Sequence, residues 1–388
     1  MTEILKLTQA KFKELGENSV DSLVDHMHTI YQQGQYPKVT VFRSWSNYNP
    51  IIGGEFAWPE IYRWYLKREF GKLLRKGATI QVEASRKSLA LNDPQLLENL
   101  DETNWDYTKK KLFFFEPERM EISIDRLKHY TATNPTDFQR YVVFTNYQMH
   151  VDVFLKEYPN CIQPNREGAQ MPAYHHVLPD SSGITLVNIG VGPSNAKTIT
   201  DHISILRPDA MIMVGHCGGL RNHQEIGDFV LASGYFRDDH VLDEFVPSKV
   251  PIAPNFQLNQ LLVQTLDKHE LNYRLGTVFT TANRNWELSL GKTRNHLHES
   301  RSIAIDMESA TVATNGFRYR VPNATILCVS DKPLHGKPKL TDSAQSFYLH
   351  SKQLHLQLII ETIDKVKEHF PMGLPNDSIR AFDEPMMG

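Results

Sequence analysis

From residue 141 onward, short apolar runs keep ending in turns that lead into helical stretches, and this alternation limits the folds open to the chain. The runs are YVVFTNY at 141–147, GITLVNIG at 183–190, DAMIMV at 209–214 and ATILCV at 324–329. Each is short enough to be a strand buried on both faces. Helical sequence begins near Met149 after the first and at Ala196 after the second. Further strands read at 229–236 and 275–279, and a long amphipathic helix at 347–370. The expected fold is α/β, a mostly parallel or mixed sheet flanked by helices. Ligands of such sheets bind outside the carboxyl ends of the strands, so the turns there are where chemistry is expected.

The first third has another texture. Residues 2–34 read as helical, with Leu5, Phe12, Leu15, Val20, Leu23, Val24, Met27 and Ile30 at mostly helical spacing. Residues 38–45 alternate like a strand, Trp58-Pro59 opens a helical stretch to about 74, and 79–83 reads as a short strand. Residues 92–106 read as a polar loop, 112–115 as an apolar strand and 121–130 as a helix. The expectation is a smaller α+β domain over 1–134, a catalytic domain over 135–370 and a loose tail over 371–388. No catalytic motif stands out before residue 135. The aromatic richness there is explained by core packing, with a ligand role as the alternative.

A formal net charge of −3 in 388 residues argues against a nucleic-acid partner or a membrane surface. No apolar run approaches the roughly 18 residues of a membrane span, and the first residues lack the apolar core of a signal peptide. Cys161, Cys217 and Cys328 are scattered and odd in number, which fits a reducing cytoplasm. His175-His176 and Asp238-Asp239-His240 are chain neighbours, which rarely converge on one ion, so no metal site is expected there.

Three stretches carry candidate chemistry. GVGPSNA at 190–196 takes a strand into a helix; glycines such as Gly192 admit a ligand to the backbone, and the helix N-terminus favours an anion or a hydroxyl-rich group. It is not a dinucleotide fingerprint, because Asn195 replaces the third glycine and no acidic residue ends the next strand. GHCGGL at 215–220 sets three glycines, Gly218 among them, directly after a buried strand, which points to close backbone approach to a ligand. His216 is either a ligand contact or a satisfied polar residue, and Cys217 reads as structural. Residues 304–333 read as helix, turn and buried strand, with Glu308 near the helix start and Asp331 just past the strand. A carboxylate in the second position is either a catalytic group or a loop residue.

Taken in order, these motifs resemble the purine nucleoside phosphorylase and nucleosidase superfamily: the GxGxxxA turn, GxxGG after the next strand, Gly227-Asp228 opening a strand, Met-Glu-Ser-Ala, and Ser-Asp after a late strand. NIGVGPSNAKT, GHCGGLR, DDHVLDE, RNWEL, IDMESAT and CVSDKPLHG resemble the AMP-hydrolysing branch in particular. The resemblance covers about residues 110–367, and the first third looks like an extra domain of that branch. It implies that Asp331 protonates or hydrogen-bonds the departing purine, for which it would need a raised pKa. It implies that Glu308 grips the ribose hydroxyls and steadies an oxocarbenium-like transition state. Met307 would pack on the ribose face, with a core methionine as the alternative. Asn283 and Trp286 would border the base, with a core aromatic as the alternative for Trp286.

Phosphorylases of this fold carry an arginine for inorganic phosphate two residues before the glycine turn; here that position is Met213, which favours water as nucleophile. Asn146 is the candidate to orient that water. A 5′-phosphate on AMP would need cations, and Arg237, Arg284 and Lys332 are candidates, each with a solvated surface charge as the alternative. The resemblance also implies no cofactor for the chemistry, Mg-ATP as an allosteric activator acting through the amino-terminal domain, and a homo-oligomer, a hexamer.

Overall fold

The computed structural model describes residues 4–42, 52–89, 110–111, 115–337 and 341–375. The expected loop at 92–106, most of the expected strand at 112–115, the end of the 38–45 strand and most of the 371–388 tail lie outside these. The chain divides into two compact units, one built on Met1–Arg126 and one on Leu127–Ser204 and Pro208–Ser378.

The smaller unit is a five-stranded sheet in the order β1-β4-β2-β3-β5, with helices between its strands. Its elements are β1 (Leu5–Leu7), α1 (Gln9–Leu15), α2 (Asn18–Gln32), β2 (Gln35–Phe42), β3 (Ile52–Glu55), α3 (Arg63–Arg75), β4 (Thr79–Ser88), β5 (Lys110–Lys111) and the start of α4 (Pro117–Thr131). The single helix expected over 2–34 is thus a strand and two helices. Thr8 caps α1, and Gly16, at φ 67°, ends it. In α2 the expected stripe holds: Val20, Leu23, Val24, Met27 and Ile30 are all buried.

The larger unit carries an eight-stranded mixed sheet in the order β12-β11-β10-β13-β9-β6-β8-β7. Its strands are β6 (Tyr141–Thr145), β7 (Ala173–His176), β8 (Ile184–Asn188), β9 (Ala210–Gly219), β10 (Phe229–Asp238), β11 (Tyr273–Thr281), β12 (Ala304–Asp306) and β13 (Asn323–Asp331). Its helices are α5 (Gln148–Glu157), α6 (Pro193–Ile203), α7 (Phe256–Lys268), α8 (Leu290–Glu299), α9 (Ser309–Tyr319) and α10 (Thr341–His369). Strands β8, β6, β9 and β13 are parallel. Strand β12 pairs with both β11 and β9, so five strands close into a ring.

Alternation along β9 and β13 divides the core. Ile212, Val214, Ile326 and Cys328 pack under α5, α7 and α10, with Val151, Phe154, Leu258, Leu262 and Ile359. Cys217, Leu327 and Val329 pack on the other face, with Val230, Ala232 and Val278. Burying each large aliphatic side chain contributes about 1.5–3 kcal/mol, so these faces fix the register on which the turns depend.

Candidate active site

The carboxyl ends of β6, β8, β9 and β13 emerge at one edge, and Glu308 is delivered to it. Residues 304–306, expected as the start of a helix, form the short strand β12 instead. Helix α9 begins at Ser309, whose backbone N–H donates to Asp306 Oδ2 at 2.9 Å. Asp306 also accepts from the Thr280 hydroxyl at 2.6 Å and from the Ser309 hydroxyl. This buried carboxylate was missed in the sequence, although an Asp three residues before a Ser has the spacing of a helix cap. It fixes the turn that presents Glu308.

The Glu308 side chain is 2% exposed. Its Oε1 accepts from the backbone N–H of Gly192 at 2.7 Å, and its Oε2 accepts from Asn146 Nδ2 at 3.2 Å. Gly192 sits at φ 111°, a conformation that favours glycine, and stands just before α6. Two strand-end turns and one helix start thus converge on a single carboxylate. Burial pushes the Glu308 carboxyl up to about 8, the neighbouring Asp306 carboxylate adds to the rise, and the bonds from Gly192 and Asn146 oppose it.

The unfolded chain releases this proton near about 4.3, the folded chain near about 8. The stability contribution is therefore complete below the unfolded value and is lost as pH rises through the folded one. Glu308→Gln stays neutral at every pH. Thermal melts are expected to show the variant gaining on the wild type as pH rises from about 5 to 8, with no further change above. A constant gap across that range would contradict the assignment.

Asp331 ends β13 at a bulge, opposite Gly218 of β9, and is 7% exposed. The Ser330 hydroxyl donates to its Oδ1 at 2.5 Å. Gly218 pairs on its other side with Ile305, two residues before Met307. A Cβ on Gly218 would stand 3.0 Å from Ile305 Cγ2 and 3.6 Å from Asp331 Oδ2. The glycine is therefore what lets β12 and β13 flank one point of β9. Met307, beside Glu308, is half-buried.

The remaining candidates divide. Asn146 reaches Glu308, and its Oδ1 is buried with no partner among the described residues. Asn283 and Arg284 are exposed in the turn after β11. That turn runs near Asp331, whose charge, after burial, raises the Glu287 carboxyl. Trp286 is buried among Leu220, Phe279, Leu297 and Ile305, as a core aromatic would be. His216 points to the α5 and α10 face, with its ring against Tyr147, His150 and His355.

Two of the three phosphate candidates use their donors inside the chain. Arg237 is 7% exposed and donates to Asp243 at 2.8 Å, to Val246 O at 2.9 Å and to Pro247 O at 3.3 Å. Lys332 is 3% exposed and donates to Asn222 O at 2.9 Å and to Gln224 O. Neither is the solvated surface charge given as the alternative: both are buried, and neighbouring loops accept hydrogen bonds from them. Arg237→Ala is accordingly expected to cost about 2–4 kcal/mol in denaturant unfolding, from lost charge-assisted bonds. A substrate KM raised at unchanged stability would instead make Arg237 a ligand contact.

A model of the phosphorylase superfamily matches residues 140–364. The chain belongs to that superfamily. It is 44% identical over 312 residues to AMP nucleosidase of Escherichia coli (strain K12), a match covering 71% of this chain and 64% of that protein. The chain thus spans under two-thirds of that relative's length. The crystal structure of AMP nucleosidase from Bacteroides thetaiotaomicron superposes with a TM-score of 0.55 at 28% identity, covering 64% of this chain and 97% of that one. Uridine phosphorylase from Vibrio fischeri, at 18% identity, superposes with a TM-score of 0.51 over 59% of this chain and 92% of its own, and shares the fold. Among the described residues no helix is long and apolar enough to cross a membrane.

Proposed function

We propose that this chain hydrolyses the N-glycosidic bond of AMP, releasing adenine and ribose 5-phosphate. The observation that carries the reading is Glu308, buried and held by Gly192 and Asn146 one turn beyond the strand that shares Gly218 with Asp331. The 44% identity to an AMP nucleosidase supports AMP as the substrate.

In this reading the bond between the purine nitrogen and the anomeric carbon breaks with its electron pair moving onto the base. Asp331 donates a proton or a short hydrogen bond to the imidazole ring of the leaving adenine. Glu308, ionised once ribose hydroxyls donate to it, steadies the positive charge that develops on the sugar. Water adds to the anomeric carbon and releases a proton to solvent, which replaces the one taken up by the departing adenine and leaves Asp331 protonated again. The unpartnered Asn146 Oδ1 is an acceptor suited to hold that water. Met213, fully buried, offers no charge for a phosphate nucleophile, which favours water. The 5′-phosphate falls to a group other than Arg237 or Lys332, and Arg284 is the exposed candidate. The amino-terminal unit is the place for regulation by Mg-ATP, in a homo-oligomer.

Parallel assays of AMP and adenosine test the substrate. A kcat/KM for AMP roughly 10- to 150-fold above that for adenosine is expected, since a charge-assisted phosphate grip contributes about 1.5–3 kcal/mol. Equal values, or preference for adenosine, would make the chain a nucleosidase for substrates without the 5′-phosphate. A protein that binds AMP without releasing adenine would be a nucleotide sensor.

A further inference from the structure

We propose that His150, His216 and His355 form a binding site for one divalent transition-metal ion of the zinc class. The three residues come from α5, β9 and α10, and all are buried. One ring nitrogen from each lies within 4.8 Å of the others. Three ligands on a zinc ion, each at about 2.0–2.1 Å, stand roughly 3.4 Å apart, so shifts of an ångström or less close the set. His150 and His216 are near-parallel at 5.7 Å between ring centres, and His355 is perpendicular to His150 at 5.1 Å.

The outer contacts have the form that metal-binding histidines take. His355 Nε2 lies 3.2 Å from the Ile326 carbonyl, which only accepts, so the proton sits there and Nδ1 keeps its lone pair. His150 Nδ1 lies 2.6 Å from the Thr145 hydroxyl, which anchors the ring and leaves Nε2 toward the cluster. Hydrogen bonds from the second ring nitrogen are what orient imidazole ligands and fix their tautomer. Both inward nitrogens, His150 Nε2 and His355 Nδ1, are buried with no partner among the described residues. A buried polar atom left without a partner is destabilising, and a shared ion satisfies both at once.

The donor set defines the ion. Three imidazoles without a carboxylate suit zinc, copper, nickel or cobalt and exclude calcium and magnesium. Three protein ligands leave a position for water. The sequence offers no local signal, because the histidines are scattered along the chain and belong to no short motif. The inference stands on this geometry and does not depend on the proposed reaction.

The test uses full-length protein freed of any affinity tag, stripped with a chelator and titrated with Co²⁺. We expect one ion per chain, with the strong visible bands of four-coordinate cobalt, and displacement of the cobalt by Zn²⁺ with a rise in melting temperature. Both His355→Ala and His150→Gln should abolish the bands, each variant being checked for folding by circular dichroism. Wild-type protein that binds no cobalt, or gives only the weak spectrum of six-coordinate surface ions, would overturn the proposal. So would full bands in either folded variant.

Discussion

Asp331→Asn is expected to lower the rate of adenine release from AMP by about 10²–10⁴-fold, the usual contribution of a positioned general acid. The substitution is nearly isosteric. The amide oxygen keeps a place for the bond from the Ser330 hydroxyl, and the spacing to Gly218 is unchanged. Fold and substrate affinity should therefore persist, and the loss should fall on kcat. A raised KM with kcat intact would mean that Asp331 contributes only ground-state binding. The position supports the larger effect: Asp331 is buried at the end of β13, at a bulge opposite Gly218.

The second large effect is expected at Glu308. Glu308→Gln removes the charge while keeping the shape, and one of the two present bonds must then meet an amide N–H rather than a carboxylate oxygen. Loss of charge-assisted bonds to ribose hydroxyls, about 1.5–3 kcal/mol, predicts a fall of roughly 10- to 150-fold in kcat/KM. A further fall in kcat follows if the charge also steadies the sugar cation. Near-normal kinetics in a folded Glu308→Gln protein would remove Glu308 from the site. The pH dependence gives a separate check on the same residue. Because burial and Asp306 hold the free carboxyl near 8, substrate must supply donors that favour the ionised form.

What the sequence disclosed, and what it hid, follows from the range over which each feature is decided. The buried runs that became β6, β8, β9 and β13 were legible because a strand covered on both faces must be apolar throughout. The glycine turn after β8 was legible because glycines at strand ends are costly without a use, whereas Gly215, Gly218 and Gly219, expected as a turn after the strand, lie within β9, where a neighbouring strand packs close on them. Strand β12 was not: three residues carry no period, and only pairing with β9 and β11 makes them a strand. Asp306 escaped for the same reason, since its role depends on a turn that the pattern did not reveal. The fates of Arg237 and Lys332 were invisible because the carbonyls they bind are brought to them only by folded loops, Val246 for Arg237 and Asn222 for Lys332. In residues 2–34 the apolar stripe belongs to α2, and Gly16, which ends α1, interrupts the helical spacing before it. The facing of His216 could have been read from alternation, since Ile212 and Val214 share its side of β9.

The most direct test of the central claim is ³¹P NMR of AMP incubated with the purified protein, with and without inorganic phosphate. Two buried carboxylates acting on one nucleotide with water as nucleophile predict conversion to ribose 5-phosphate in both tubes, with an equal amount of free adenine. Unchanged AMP would contradict catalysis at this site, and ribose 1,5-bisphosphate formed only when phosphate is present would contradict hydrolysis.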